Sequence, residues 1–123
     1  MPKLIDAVLA LDVVLGPTGI TAMKDRIRDR DEFVRPVPSE FPVVLGFIFE
    51  AEPGETFEIA TEVRSPMNRP LWFDSGKLKG SDSGRGEFAV HIPIPVRDVG
   101  PCYISLHFNQ QQVWQQHVFF ALQ

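Results

Sequence analysis

The sequence predicts an all-β protein, an immunoglobulin-like antiparallel β-sandwich of about seven to eight strands. Three observations predict it. Apolar residues recur at every second position in several stretches, most clearly at Cys102, Ile104, Leu106 and Phe108, which is the period of a half-buried strand. Eleven prolines and nine glycines break these stretches at short intervals, as turns require. Ten phenylalanines supply large β-favouring side chains, and no long amphipathic helical stretch competes with them. Short strands separated by firm turns bury their apolar faces by packing two sheets together.

The elements follow in chain order. Residues 4–15 are rich in Val, Leu and Ala; the spacing of Leu4, Ala7, Val8, Leu11 and Leu15 also fits a helix. The "GPTG" at 16–19 and the "ITAMKDRI" that follows favour a strand, a turn and a return strand. "KDRIRDRDE" (24–32) alternates in sign and reads as a solvated strand end or loop, with an electrostatic docking loop as the sharper alternative. "VRPVPSEFP" (34–42) holds three prolines and reads as an extended connector. "VVLGFIFEAE" (43–52) is a buried strand in which Gly46 marks a bulge or a close approach. "PGE" (53–55) is a turn, and "TFEIATEVR" (56–64) a strand with Phe57, Ile59 and Val63 inward and a slip of phase near Ala60 and Thr61.

"SPMNRP" (65–70) turns the chain into a short strand, "LWF" (71–73), and "DSGKLKGSDSGRGE" (74–87) reads as a long flexible loop. "FAVHIPIPV" (88–96) places Phe88, Val90, Ile92 and Ile94 on one side. Pro93 and Pro95 lie on the other, so the far end of this strand is an edge or has left the sheet. "RDVGP" (97–101) leads into two final strands closing around 109–113. The expected core is Phe47, Phe49, Ile59, Ile92, Ile104, Leu106 and Phe120.

A chain of 123 residues is one domain, 1–123, long enough to bury a core without staples. Its net charge of −4, from 12 basic and 16 acidic residues, argues against nucleic acid, whose binding needs a basic surface. A single cysteine, Cys102, leaves no internal disulfide, and Asp6 and Asp12 interrupt the apolar N-terminal run. We therefore expect no signal peptide, no membrane partner and a cytoplasmic location.

Several segments carry a family likeness. "FPVVLGFIFEAEPGETFEIATEVRSPMNRPLW", "FAVHIPIP" and "GPCYISLHFNQQQVW" together resemble a family of small uncharacterised bacterial proteins. That family has an FP strand start, a PGE turn and a late Gly-x-Tyr strand followed by a C-terminal strand. The resemblance implies an immunoglobulin- or C2-like sandwich in the bacterial cytosol, and no activity. The chain departs from the pattern where Cys102 stands in the expected tyrosine position and Tyr103 comes one residue later. A corner hydrogen bond from that tyrosine is then absent or shifted in register.

Chemistry-bearing motifs are sparse. His91, His107 and His117 fall on three different strands without metal-ligand spacing. Asp74, Asp82 and Glu87 match no calcium loop. Cys102 lies in the apolar phase, where free thiols are inert, and Ser75, Ser81 and Ser83 lack a strand–turn–helix elbow. "GKLKGSDSGRG" lacks the order of a phosphate-binding loop. The expectation is no enzyme, no metal and no cofactor.

The remaining signal lies in the final hairpin. If Ile104 and Leu106 point inward, Tyr103, Ser105 and His107 point outward, joined by Gln115, His117 and Phe119 of the last strand. The reading pairs His107 with Gln115, Ser105 with His117 and Tyr103 with Phe119. These six side chains form a charge-free aromatic face of the kind found at interface cores, open unless the N-terminal segment or residues 65–73 cover it. The expected function is a protein-interaction module that binds a protein partner or forms a homodimer through this hairpin. The alternative is a small-ligand or carbohydrate-binding sandwich that stacks its ligand on Trp72 or Trp114.

Overall fold

Strands form where alternate side chains can be buried, and the burial pattern follows that period closely in the second half of the chain. The computed structural model describes residues 1–17 and 19–122, and nine strands among them. They are β1 (Lys3–Gly16), β2 (Gly19–Ile27), β3 (Asp31–Arg35), β4 (Ser39–Glu50), β5 (Thr56–Arg64), β6 (Pro70–Lys79), β7 (Arg85–Val96), β8 (Gly100–Phe108) and β9 (Gln111–Leu122). One sheet has the order β2-β1-β4-β7 and the other β3-β9-β8-β5-β6. All pairings are antiparallel except β3 with β9, which is parallel. In immunoglobulin terms β1, β4 and β7 stand for strands A, B and E, and β5, β8 and β9 for C, F and G.

The inner faces of the two sheets meet in a phenylalanine-rich core. All seven expected core residues are buried, with Phe49 in edge contact with Phe57, and Phe57 with Phe108, at 5.2 Å between ring centres. Each such burial stabilises the fold by roughly 1.5–3 kcal/mol, and edge-on rings add to it. β5 keeps its phase throughout: Thr61, 2% exposed, takes the inward place between Ile59 and Val63, so the expected slip does not occur.

Three segments differ from the sequence reading. Residues 31–35, read as loop and connector, form β3, and β4 starts at Ser39 rather than 43. Residues 74–79 and 85–87, read as loop, belong to β6 and β7, leaving only residues 80–84 between them. β6 is an edge strand in which Asp74, Ser75, Gly76 and Lys77 are all exposed, so it lacks the apolar alternation that marks a strand. Asn109 and Gln110, at φ 48° and 69°, close the last hairpin as a two-residue turn of the primed type.

β1 is longer than its place in the sheet. Lys3–Ala10 pair with β4, while Leu9–Gly16 pair with β2, so the distal hairpin is an arm. This arm folds back over the outside of its own sheet. The Ile20 amide donates to Glu87 of β7 at 2.8 Å, although β2 and β7 are not neighbours in the sheet. A Cβ placed on Gly46 would lie 2.9 Å from Met23 Sδ and 3.5 Å from Ile20 Cδ1, the close approach that the glycine foreshadowed. Thr18, at the tip expected to turn the arm, lies outside the described residues.

Candidate functional site

The last hairpin sits in the middle of the five-stranded sheet. Cys102, Ile104, Leu106 and Phe108 are all 3% exposed or less and face the other sheet. Strand alternation therefore turns Tyr103, Ser105 and His107 outward, and on β9 it does the same for Gln115, His117 and Phe119. The six residues share one face, but with different partners from those expected. Tyr103 is opposite His117, Ser105 opposite Gln115 and Phe119 opposite Pro101, with a bulge between Leu106 and His107. The tight Asn109–Gln110 turn and this bulge move the register by two residues at Tyr103 and Ser105 and by three at His107, which faces Gln112 instead of Gln115.

The arm does not cover this face, because it lies over the other sheet. Residues 65–73 border it rather than cover it: Phe73, 60% exposed, stands beside Glu62 on the same outer surface. Much of the shielding comes from the six residues themselves. The Tyr103 and His117 rings meet edge to face at 4.9 Å, and Ser105, only 6% exposed, has its Oγ 3.0 Å from His107 Nε2. Toward β6 the surface dips into a groove of about 410 Å³ lined by Ala60, Phe73, Ser75, Lys77, His107 and Gln110.

Sequence reasoning missed the residues that distant segments bring to the border. Asp29, from the turn before β3, accepts the His117 amide at 2.7 Å and its ring Nδ1 at 3.1 Å. The first of these bonds, more than the ring or the neighbouring Arg30, holds the Asp29 carboxyl below its ordinary value. On β5, Arg64 is paired with Glu62 and also donates to the Asn68 carbonyl. The centre of the face is thus free of formal charge, and ion pairs flank it. Sign alternation around Asp29 was the only sequence signal for this border.

A serine beside a histidine raises the question of nucleophilic chemistry. Ser105 lies mid-strand, paired to Glu62 on one side and Gln115 on the other, so the surrounding amides serve the sheet ladders and not an oxyanion. The carboxylate that orients a histidine here, Asp29, holds His117 and not His107. Burial drives the Cys102 thiol up to about 11, with a smaller push from Asp98, which fits its inward place.

The remaining candidates are dispersed. Trp72 and Trp114 are half-buried and pack against the core cluster, in the inward phase of their strands. His91 is on β7, in the other sheet from His107 and His117. Asp74 is on β6, Asp82 in the turn after it, and Glu87 on β7 is held by the Ile20 amide. Among the described residues no group of three or more His, Cys, Asp or Glu could hold a metal ion, and no helix is long and apolar enough to cross a membrane.

No family model matches the chain and no curated protein matches it, so the sandwich fold is what stands of the resemblance.

Proposed function

We propose that the protein is a non-catalytic interaction module whose contact face is the outer surface of β8 and β9. One observation carries this reading. A sheet face with Tyr103, His117 and Phe119 at its centre is left open, while the arm that could have covered a face is committed to the opposite sheet. Aromatic residues at a charge-depleted centre with charged residues at the rim form the usual anatomy of a protein contact. The resemblance to small bacterial proteins and the lone buried cysteine support a cytoplasmic setting.

The partner is a protein or a second copy of the chain. Light scattering over a concentration series and capture of partners from a bacterial lysate test the face together. Tyr103→Ser combined with Phe119→Ser is expected to lower both the concentration-dependent mass and the capture while leaving the unfolding transition in place. A double variant that matches the parent in both assays would remove the contact face.

A further inference from the structure

A second surface lies at a lateral edge of the sandwich, where β6 and β7, edge strands of the two sheets, face each other. Pro42 is paired with Pro93, and neither has an N–H, so that pair makes no ladder hydrogen bonds. Antiparallel alternation then directs the N–H and C=O groups of Ala89 and His91 away from β4, to the free edge of β7. Pro93 and Pro95 share that phase and offer no donor, so the pairable edge ends at His91. No strand among the described residues occupies the immunoglobulin D position beside β7.

Between this edge and β6 a slot of about 340 Å³ reaches the core, with Ile59, Thr61 and Val90 in its walls. Gly76 explains why the slot is open. It sits mid-strand opposite Ile59, within a run of the β5–β6 register that has no bulge. Its φ is not positive, and a Cβ there would meet nothing within 4 Å. A strand-interior glycine weakens its strand, and bulges, bends and close approach of another backbone or ligand are its usual reasons. No bulge falls here, and nothing among the described residues makes the close approach. Phe88 adds a second sign: it lies in the inward phase of β7, 6.0 Å from the Phe47 ring, yet is 39% exposed because the neighbouring strand position is empty.

We propose that the free edge of β7 pairs antiparallel with β7 of a second copy, centred on Ala89. Unpaired donors and acceptors alternate along this edge, and another extended backbone is the partner that satisfies both. Centring on Ala89 matches residues 87, 89 and 91 with their counterparts and keeps both prolines outside the shared donors. It places Glu87 of one copy opposite His91 of the other, a favourable polar pair whose carboxylate the Ile20 amide already holds in position. On the inner side Phe88 of each copy faces Val90 of the other and enters the slot beside Gly76. The pairing edge belongs to the other sheet and uses none of the six residues of the Tyr103 face, although Ser75 and Lys77 line both this slot and the groove beside that face.

Sedimentation velocity of the full chain, from low to high micromolar concentration, tests the pairing. The parent is expected to dimerise, and Ala89→Pro to stay monomeric with an unchanged melting temperature, since Pro93 and Pro95 show that this phase accepts proline. His91→Glu sets two carboxylates against each other and is expected to raise the dissociation constant by about tenfold or more. It also carries the test if Ala89→Pro fails to fold. Tyr103→Ser with Phe119→Ser should remove only the association that runs through the Tyr103 face and leave the β7–β7 dimer in place. A parent that stays monomeric throughout, or a dimer that survives His91→Glu and Ala89→Pro but is lost in the Tyr103/Phe119 variant, overturns the proposal.

Discussion

Asp29 accepts two hydrogen bonds from one residue, the main-chain amide of His117 at 2.7 Å and its ring Nδ1 at 3.1 Å. With the Arg30 amide donating to the His117 carbonyl at 2.9 Å, this clamp fixes the turn that delivers β3 to the edge of β9. A carboxyl held low in the folded chain contributes stability that is present above its unfolded value of about 3.9 and is lost as pH falls through the folded value. The docking of β3 should therefore weaken below about pH 4. Asp29→Ala is expected to cost a few tenths to about 1 kcal/mol at neutral pH, a small effect because the group is exposed and screened. Urea unfolding at pH 7 and pH 3 checks it: the difference between variant and parent should shrink at the lower pH.

Leu106 is fully buried at the centre of β8 and pairs with Thr61 and Trp114 on either side. Leu106→Asp places a charge in the core with no partner and is expected to abolish cooperative folding. Leu106→Ala is expected to remain folded and to lose about 2–5 kcal/mol in denaturant titration. A soluble, cooperatively unfolding Leu106→Asp protein would show that the inward phase of β8 is misassigned, and with it the outward set at Tyr103.

These two sites also show what the sequence could disclose. Cys102 to Phe108 declares its facing because each second residue must be apolar to stay out of water, and position alone then assigns Tyr103, Ser105 and His107 to the other side. The partner of each depended on a turn that composition did not mark, since "NQ" is not a usual two-residue hairpin signal. β3 was illegible for a different reason: Asp31–Arg35 has little apolar alternation of its own and is held in place by Asp29 and Arg30, a tertiary cause. β6 escaped notice because an exposed edge strand has little apolar pattern to display. At the candidate face the six hairpin residues could be read from spacing, whereas Asp29, Arg64 and Phe73 come from segments remote in sequence, and only folding brings them to its border.

Gln110 has φ 69° at the second position of the tight turn. A side chain there is held in the left-handed region, where glycine has no Cβ to oppose it. Gln110→Gly is expected to stabilise the protein by about 0.5–1 kcal/mol, against the usual loss from added chain entropy. Asn109 should resist replacement more, because its side chain accepts the Glu58 amide at 3.0 Å while its own amide donates to the Glu58 carbonyl. Thermal melts should move up for Gln110→Gly and down for Asn109→Ala, which loses the bond to the Glu58 amide.

The Cys102 thiol is 1% exposed and raised to about 11, so it is almost wholly protonated at neutral pH and closed to reagents. An aromatic disulfide reagent at pH 8 should label it no faster than the chain unfolds, and fully in denaturant. Rapid labelling of the native protein would mean that β8 opens locally or that its phase is wrong. Cys102→Ala should cost about 1–2 kcal/mol, the loss of a small buried group with little room for collapse.

Gly46 joins the core to the arm. It lies on the outward phase of β4, opposite Val8 of β1 and Ala89 of β7, and Met23 and Ile20 sit where its side chain would be. Its φ is ordinary, so any cost of replacement comes from packing and not from backbone strain. The obstructing atoms are side-chain ends, and a single methyl can displace them; Gly46→Ala is expected to lose less than about 1 kcal/mol. Gly46→Val demands more volume than Met23 can yield and should lift the arm from the sheet at about 1–3 kcal/mol. Lifting the arm would strain the Ile20 amide bond to Glu87 and expose residues 19–24. Limited proteolysis should then cleave Gly46→Val within the arm while the parent stays intact and both retain the same strand content. Equal resistance in both proteins would mean that the arm is held by its hairpin alone and owes nothing to the glycine beneath it.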